Sequence, residues 1–347
     1  MILSPSFIAR FTPSSITGGA ISRACATLLL GLHLCAAHAQ PAAPAAPQES
    51  GASVLRVGYI GSGKVLTAPS GWALRQGVLQ RELARVGVSG VKTYAFPNGP
   101  DLNEALGAGA LDIGIYGDTP AIVARSRGYE TRLIGFEQVG MEVWLLTPKQ
   151  GATNFQALQG KVVATALGSY MHRYLIGALK EAGLAGRTRI VYMLGKDAEP
   201  ALARGDIAAF AAQIEVGPQL AQRGYPVLDQ ASRHANLVGT SVIVASEKTL
   251  AKYPGLGLAW QRARATALAE IRKDPEKYYE FHAQSTGFPL EAVRASYPIA
   301  QYPEEPYPPR GLELLESTKA FLLAENLIRG AFSIRDWRPA DAVAALR

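Results

Sequence analysis

Cysteine is nearly absent from this chain. Its 347 residues hold two, Cys25 and Cys35, and both fall in a leader that is expected to be removed, which would leave no thiol. That excludes disulfides, iron–sulfur clusters and cysteine nucleophiles. Histidine is scarce too: only His172, His234 and His282 lie beyond the leader. They show no His-Glu-x-x-His or comparable spacing, so neither a metal site nor a cofactor is expected. Charged residues make up only 18% of the chain, and its lysines and arginines are scattered singly. The net charge of +7 includes Arg10 and Arg23 of the leader, so +5 remains once those two are subtracted. Without a basic run, that surplus argues against nucleic acid and is compatible with anionic ligands. Long apolar runs are missing as well. After the leader no uncharged window reaches the roughly 20 residues needed to span a bilayer, so the mature chain is expected to be soluble.

What is present reads as an exported α/β protein. Arg10 and Arg23 precede an apolar stretch, Ala24 to Ala37, that closes on the small-x-small motif Ala37-His38-Ala39. This is a signal-peptide pattern over residues 1–39, with cleavage expected before Gln40 and a periplasmic destination. Leu34 stands where a lipidated Cys35 would need a small neighbour, so no lipid anchor is expected. Residues 40–53 (QPAAPAAPQESGAS) form a Pro/Ala linker that cannot build a core. The remainder is long and apolar enough for two lobes. Its dispersed glycines and prolines suit short turns between buried strands and helices.

Buried-strand runs occur at 54–60, 91–96 and 111–116, with helices over 71–86 and 101–108. Thr119-Pro120 places a hydroxyl at an N-cap and proline at the first helical position. The pattern Ala105-Leu106-x-x-Gly109-x-Leu111 recurs as Ala201-Leu202-x-x-Gly205-x-Ile207, a sign of two related βαβ lobes. Apolar strands at 143–146 and 238–245 are placed to cross between them. Beyond Lys248 the pattern is helical, over 256–274, 275–284 and 312–327. Tyr297 to Pro309 reads as an extended surface connector.

Three stretches carry a resemblance. One runs from Phe96-Pro-Asn-Gly99-Pro through Ala105-Leu106, Gly109, Leu111-Asp112, Gly114 and Gly117-Asp118-x-Pro120 to Gly128. A second joins Glu142-Val-Trp-Leu-Leu to Leu158-Gln-Gly160-Lys161-Val162 and Gly168-Ser169-x-x-His172. The third is Gly239-Thr-Ser-Val-Ile-Val through Tyr253-Pro254-Gly255. Together they resemble the nitrate/sulfonate/taurine class of ABC-transporter solute-binding proteins, especially the aliphatic-sulfonate binders. The resemblance implies a type II periplasmic binding protein: two α/β lobes joined by two crossing strands, with the ligand between them. Lobe one would comprise 54–140 plus 243–347 and lobe two 141–242. It implies a monomer that binds a small anionic or zwitterionic solute, delivers it to an ABC permease and catalyses nothing. An enzyme related to thiamin-pyrimidine synthases is the alternative, but that group's cysteine-rich motif is missing here. A ligand-binding partner of a sensor is a further one. Where the family has an aromatic-acid-Pro triplet, this chain reads Gln213-Ile214-Glu215, so the ligand cannot be copied across.

Helix N-termini present unpaired N–H groups and partial positive charge to an anion. Two turns qualify, Gly117-Asp118-Thr119 and Gly168-Ser169-Tyr170, with hydroxyls of Thr119 and Ser169 as added donors. The resemblance extends the expected site to Ser62, Gly63, Tyr116, Glu142, His172, Gln213 and Glu215. Lys64 is either a cleft cation or a solvated charge. Gly58-Tyr-Ile-Gly-Ser-Gly63-Lys64-Val65 nearly spells a P-loop, but Val65 replaces the hydroxyl that would hold magnesium, so no nucleotide is expected. His172, one turn beyond Ser169, is poorly placed to serve as its base.

Overall fold

The structure is a computed structural model that describes residues 53–61, 63, 65–330 and 332–340. The leader, the linker up to residue 52, and both Ser62 and Lys64 lie outside the described residues. The chain opens with β1 (Val54–Ile60), α1 (Ala68–Arg75), α2 (Val78–Ala84), β2 (Gly90–Phe96), α3 (Gly99–Gly107), β3 (Ile113–Gly117), α4 (Asp118–Ser126) and β4 (Thr131–Met141). It continues through β5 (Trp144–Leu146), β6 (Val162–Thr165), α5 (Tyr170–Glu181), β7 (Arg189–Tyr192), α6 (Gly195–Arg204), β8 (Ala209–Ala212), α7 (Val216–Gln222) and β9 (Val227–Gln230). The return is β10 (Gly239–Ser246), followed by α8 (Glu247–Lys252), α9 (Leu256–Lys273), α10 (Pro275–Thr286), α11 (Leu290–Ser296), α12 (Pro309–Ala324) and α13 (Ile334–Trp337). Among the described residues no helix is long and apolar enough to cross a membrane.

Two five-stranded sheets share one plan. The first has the order β2-β1-β3-β10-β4 and the second β7-β6-β8-β5-β9. In each, the first three strands are parallel and the last two join antiparallel. The repeated sequence pattern falls at equivalent places, closing α3 before β3 and α6 before β8. Gly109 and Gly205 adopt φ values of +69° and +73°. Their amides bond back to Leu106 and Leu202, while those of Ala110 and Asp206 reach Ala105 and Ala201. Each pattern is thus a glycine helix stop that turns the chain into a buried strand. The chain leaves the first sheet through Glu142-Val143 and returns through residues 231–238.

Helices cover both faces of both sheets. On β1, Leu55, Val57 and Tyr59 point to a core with Trp72, Leu79, Trp260 and Tyr278. Leu102, Tyr116, Phe136, Leu315 and Trp337 fill the opposite face. The second sheet is packed by Tyr174 and Leu175 on one side and by Leu202 and Leu220 on the other. Two local expectations give way. The helix read over 71–86 is broken at Gly77, whose φ of +68° caps α2. The 297–309 segment is not a surface connector: Tyr297, Tyr302 and Tyr307 are buried, with Tyr302 only 1% exposed.

Candidate functional site

The second lobe brings the N-terminus of α5 to the contact between lobes. Gly168, at φ +76°, makes the turn, and a Cβ there would lie 3.2 Å from Pro100 at the start of α3. Ser169 caps the helix: its Oγ accepts from the His172 amide at 3.3 Å and donates to the Ala166 carbonyl at 2.5 Å. His172 Nδ1 accepts from the Gly168 amide at 3.3 Å. The amides of Tyr170 and Met171 precede the first helical acceptor, and no partner for them lies among the described residues. The Tyr170 ring lies between Gly117 and Gly239 of the first lobe. It sits 3.4 Å from where a Cβ on Gly117 would be, and a Cβ on Gly239 would overlap it. Its hydroxyl is buried beside the Ile214 backbone, and burial pushes that phenol upward.

The α4 end differs from the sequence expectation. Its N-cap is Gly117, so Thr119 lies inside the helix, and its hydroxyl donates to Asp118 Oδ1 at 2.9 Å. Asp118 is fully buried. Its Oδ2 accepts from the Thr240 amide and hydroxyl at 3.1 and 3.0 Å and from the Thr318 hydroxyl at 3.4 Å. It also pairs with Arg173 of α5 at 3.6 Å. The charge that an anion would find at this helix end is therefore already met by the protein's own carboxylate. Arg173 in turn donates to the carbonyls of Asn236 and Val238 at 2.9 and 2.7 Å, fastening the return crossing. Glu142 accepts from the Val143 and Ser232 amides, both at 3.0 Å, and so ties one crossing to the other.

Thus of the expected residues, Gly117, Gly168 and Tyr170 meet at the lobe contact. The hydroxyl protons of Thr119 and Ser169 stay within the protein, and the carboxylates of Asp118 and Glu142 brace the crossings. Tyr116 points into the first lobe's core and is 2% exposed. Gln213 turns toward Gly195 at the start of α6. Gly63 lies against the carbonyl of Ser285 near the end of α10, and its own carbonyl accepts from the Tyr59 hydroxyl at 2.8 Å.

Glu215 sits at this contact in an unusual conformation, φ +58° and ψ −52°, rarely adopted by a side chain larger than glycine. Its amide donates to Ser296 Oγ at 2.6 Å, and its carboxylate accepts from the Tyr297 hydroxyl. Oε1 stands 3.7 Å from Nε2 of His282, which is completely buried and has no hydrogen-bond partner there among the described residues. His282 stacks on Tyr297 with ring centroids 4.1 Å apart, and its Nδ1 meets the Tyr278 hydroxyl at 3.3 Å. His282, Tyr297 and Arg173 carry no local motif. Tyr297 lies 82 positions from Glu215 and Arg173 lies 65 from Val238, so only the folded topology reveals their roles.

His172 makes one part of this region pH-sensitive. Burial holds its pKa below the usual histidine value, and only the neutral ring can accept the Gly168 N–H. A depressed folded value means that the stabilisation is complete above the ordinary value, about 6.5, and is lost as pH falls through the folded one. His234 has the opposite sign: burial lowers its pKa, but Asp229 and Glu181 outweigh that and raise it. Melting temperatures at pH 7, 6 and 5 should therefore fall less steeply in His172→Gln than in the parent. Equal slopes would rule this account out.

Comparisons with known proteins agree on the fold. Residues 90–278 match the NMT1/THI5-like family model. The chain is 29% identical over 304 residues to an Escherichia coli protein named as an aliphatic sulfonates-binding protein, covering 84% of this chain and 91% of that one. It is 25% identical over 197 residues to the 4-amino-5-hydroxymethyl-2-methylpyrimidine phosphate synthase of Schizosaccharomyces pombe, covering 53% and 57%. Among solved structures, the alkanesulfonate-binding protein SsuA of Xanthomonas axonopodis pv. citri, bound to MOPS, superposes with a TM-score of 0.69 at 21% identity. That match covers 83% of this chain and 98% of SsuA.

Proposed function

The chain belongs to the NMT1/THI5-like family, and from that membership we propose that it is the solute-binding component of an ABC importer in the periplasm. It captures a small anionic or zwitterionic solute, of aliphatic-sulfonate, taurine-like or nitrate-like kind, between its lobes and presents it to a membrane permease. The observation that carries this reading is the open start of α5. Among the described residues the amides of Tyr170 and Met171 lack partners, and the Tyr170 ring that follows them packs against Gly117 and Gly239 of the first sheet. Free N–H groups at the end of a 12-residue helix attract an anion without a metal and without a basic side chain. The relative named for aliphatic sulfonates, matched over most of both chains, supports the solute class.

Binding is favoured over catalysis by the state of the Ser169 and His172 pair. The hydroxyl proton of Ser169 goes to Ala166, and Nδ1 of His172 receives the Gly168 amide. Neither is arranged to activate the other.

The first sheet with its helices, from β1 to β4 and from β10 onward, and the second sheet with its own, from β5 to β9, would move as two bodies about the crossings, closing on the solute. A melting-temperature screen of the mature chain with ethanesulfonate, taurine and nitrate tests the reading. A ligand at 100 times its dissociation constant stabilises by about 2.7 kcal/mol, and the radius of gyration should fall on saturation. Ser169→Ala should lower stability by about 1 kcal/mol through the lost cap while changing affinity less than about threefold, because its hydroxyl proton is turned to Ala166. No shift with any of the three solutes would refute the assignment.

A further inference from the structure

The return crossing is fastened to α5 at more than one point, and one fastening depends on a proton. His234 lies in that crossing, with a side chain 12% exposed. Its Nε2 is 2.6 Å from Oδ2 of Asp229 in β9, and its Nδ1 is 2.5 Å from Oε2 of Glu181, the last residue of α5. A carboxylate only accepts, and a neutral imidazole has one N–H to give. Carboxylates on both ring nitrogens therefore call for the imidazolium, whose two N–H groups make charge-assisted bonds. In the neutral ring a lone pair would face one carboxylate oxygen, and that contact would open. Asp229 keeps the remaining N–H, because it is only 7% exposed and a buried carboxylate is costly to leave short of donors. The Tyr174 hydroxyl at 2.7 Å and Arg233 at 3.7 Å already converge on it. Glu181 is 58% exposed, so water replaces the ring there and the link to α5 is the one released.

Among the described residues the other groups around this cluster are already engaged. Tyr174 of α5 stands edge-on to the ring at 5.9 Å. Arg310 of α12 donates to the Ala235 carbonyl at 3.1 Å and pairs with Glu313, and Lys180 pairs with Glu325. Glu142 accepts from the Ser232 amide. With the ring protonated, His234 and Arg233 match Asp229 and Glu181; the neutral ring leaves one negative charge over. The effect reaches the solute through α5. Its first turn carries the Tyr170 and Met171 amides, its Arg173 holds the Asn236 and Val238 carbonyls, and its last residue holds His234. We propose that His234 is a positioning residue for solute binding, an imidazolium that pins the return crossing to the far end of α5. Crossing and anion site then move as one when the lobes close, and loss of the proton weakens binding by thinning the binding-competent population. This role rests on the reading of the α5 start as the solute site. Burial lowers the pKa of His234, but Asp229 and Glu181 outweigh that and raise it. The pin is thus complete below the ordinary histidine value, about 6.5, and is lost as pH rises through the folded one.

NMR titration of the histidine rings in the mature chain tests the imidazolium. The His234 ring should titrate above about 6.5, and lower in Glu181→Gln, whose amide donates to Nδ1 of the neutral ring while Nε2–H stays on Asp229. Glu181 is exposed enough for that change to leave the fold intact. Affinity is then measured by calorimetry on either side of the midpoint, with whichever of ethanesulfonate, nitrate and taurine binds. Measured against Glu181→Gln, so that any titration of the solute cancels, the parent's affinity should fall about two- to fivefold as the proton leaves, the span of one partly exposed ion pair. His172, with its lowered pKa, is already neutral there. A His234 midpoint at or below the ordinary value would overturn the imidazolium and the proposal with it. A raised midpoint with parallel pH profiles in parent and Glu181→Gln would leave His234 a local brace and overturn its role in binding. Failure of all three solutes to bind at either pH would overturn the solute reading and this role with it, while the ring titration still reports the pin separately.

Discussion

Arg173→Met should destabilise the protein by about 3–5 kcal/mol, the range for removing one member of a buried ion pair. At roughly 2–4 °C per kcal/mol for chains somewhat shorter than this one, the melting temperature should fall by on the order of 10 °C. The side chains of Arg173 and Asp118 are 1% and 0% exposed, so water cannot solvate the partner left behind. Methionine keeps much of the arginine's length while leaving the Asn236 and Val238 carbonyls without their donors. Burial lowers the pKa of Arg173 and the Asp118 charge opposes that shift, so the pair is a compromise in which each charge depends on the other. Adding Asp118→Asn to the arginine variant should therefore cost less than the two single changes summed. Chemical unfolding of the four proteins measures this. A loss below about 1 kcal/mol in Arg173→Met would show that the crossing is held by its backbone bonds alone.

The part of the fold legible in the sequence is the part set by short-range rules. The apolar run Val54 to Ile60 reads as a buried strand, and its Leu55, Val57 and Tyr59 share one face. The glycine stops at 109 and 205 exposed the internal repeat. The Gly168-Ser169 turn was identified as a helix start, and it is one. Where side chains from distant positions compete, the local reading fails. Thr119 has the right type and place for a cap, but Asp118 captures its hydroxyl because Arg173, Thr240 and Thr318 arrive from elsewhere and fix that carboxylate. Tyr116 follows the strand's alternation into the core rather than toward a ligand. The departure at Gln213-Ile214-Glu215 was visible as a departure. Its meaning depends on His282 and Tyr297, which helices near the far end of the chain bring back to it.

Gly239→Ala should disturb binding more than any other single methyl at the lobe contact. A Cβ at this position would overlap the Tyr170 ring at three of its carbons, so something must move. The strand does not yield easily, because β10 is paired on both sides, with β3 and β4. The Tyr170 ring has little room to retreat, since Gly117 lies on it and its hydroxyl end is buried beside Ile214. Overpacking of this kind costs about 1–3 kcal/mol. Relief comes by parting the lobes, which carries the Tyr170 and Met171 amides away from the first lobe and lowers affinity for the solute by roughly tenfold or more, at 1.4 kcal/mol per tenfold. Gly257→Ala in α9 serves as the control: its nearest neighbour atom would lie 3.6 Å away, and alanine suits a helix better than glycine. If the clash is the cause, Tyr170→Ala combined with Gly239→Ala should lose less stability than the two changes added together, while affinity stays low because the ring that completes the contact is gone. Affinity retained in Gly239→Ala within about threefold of the parent would mean that the solute does not depend on this contact.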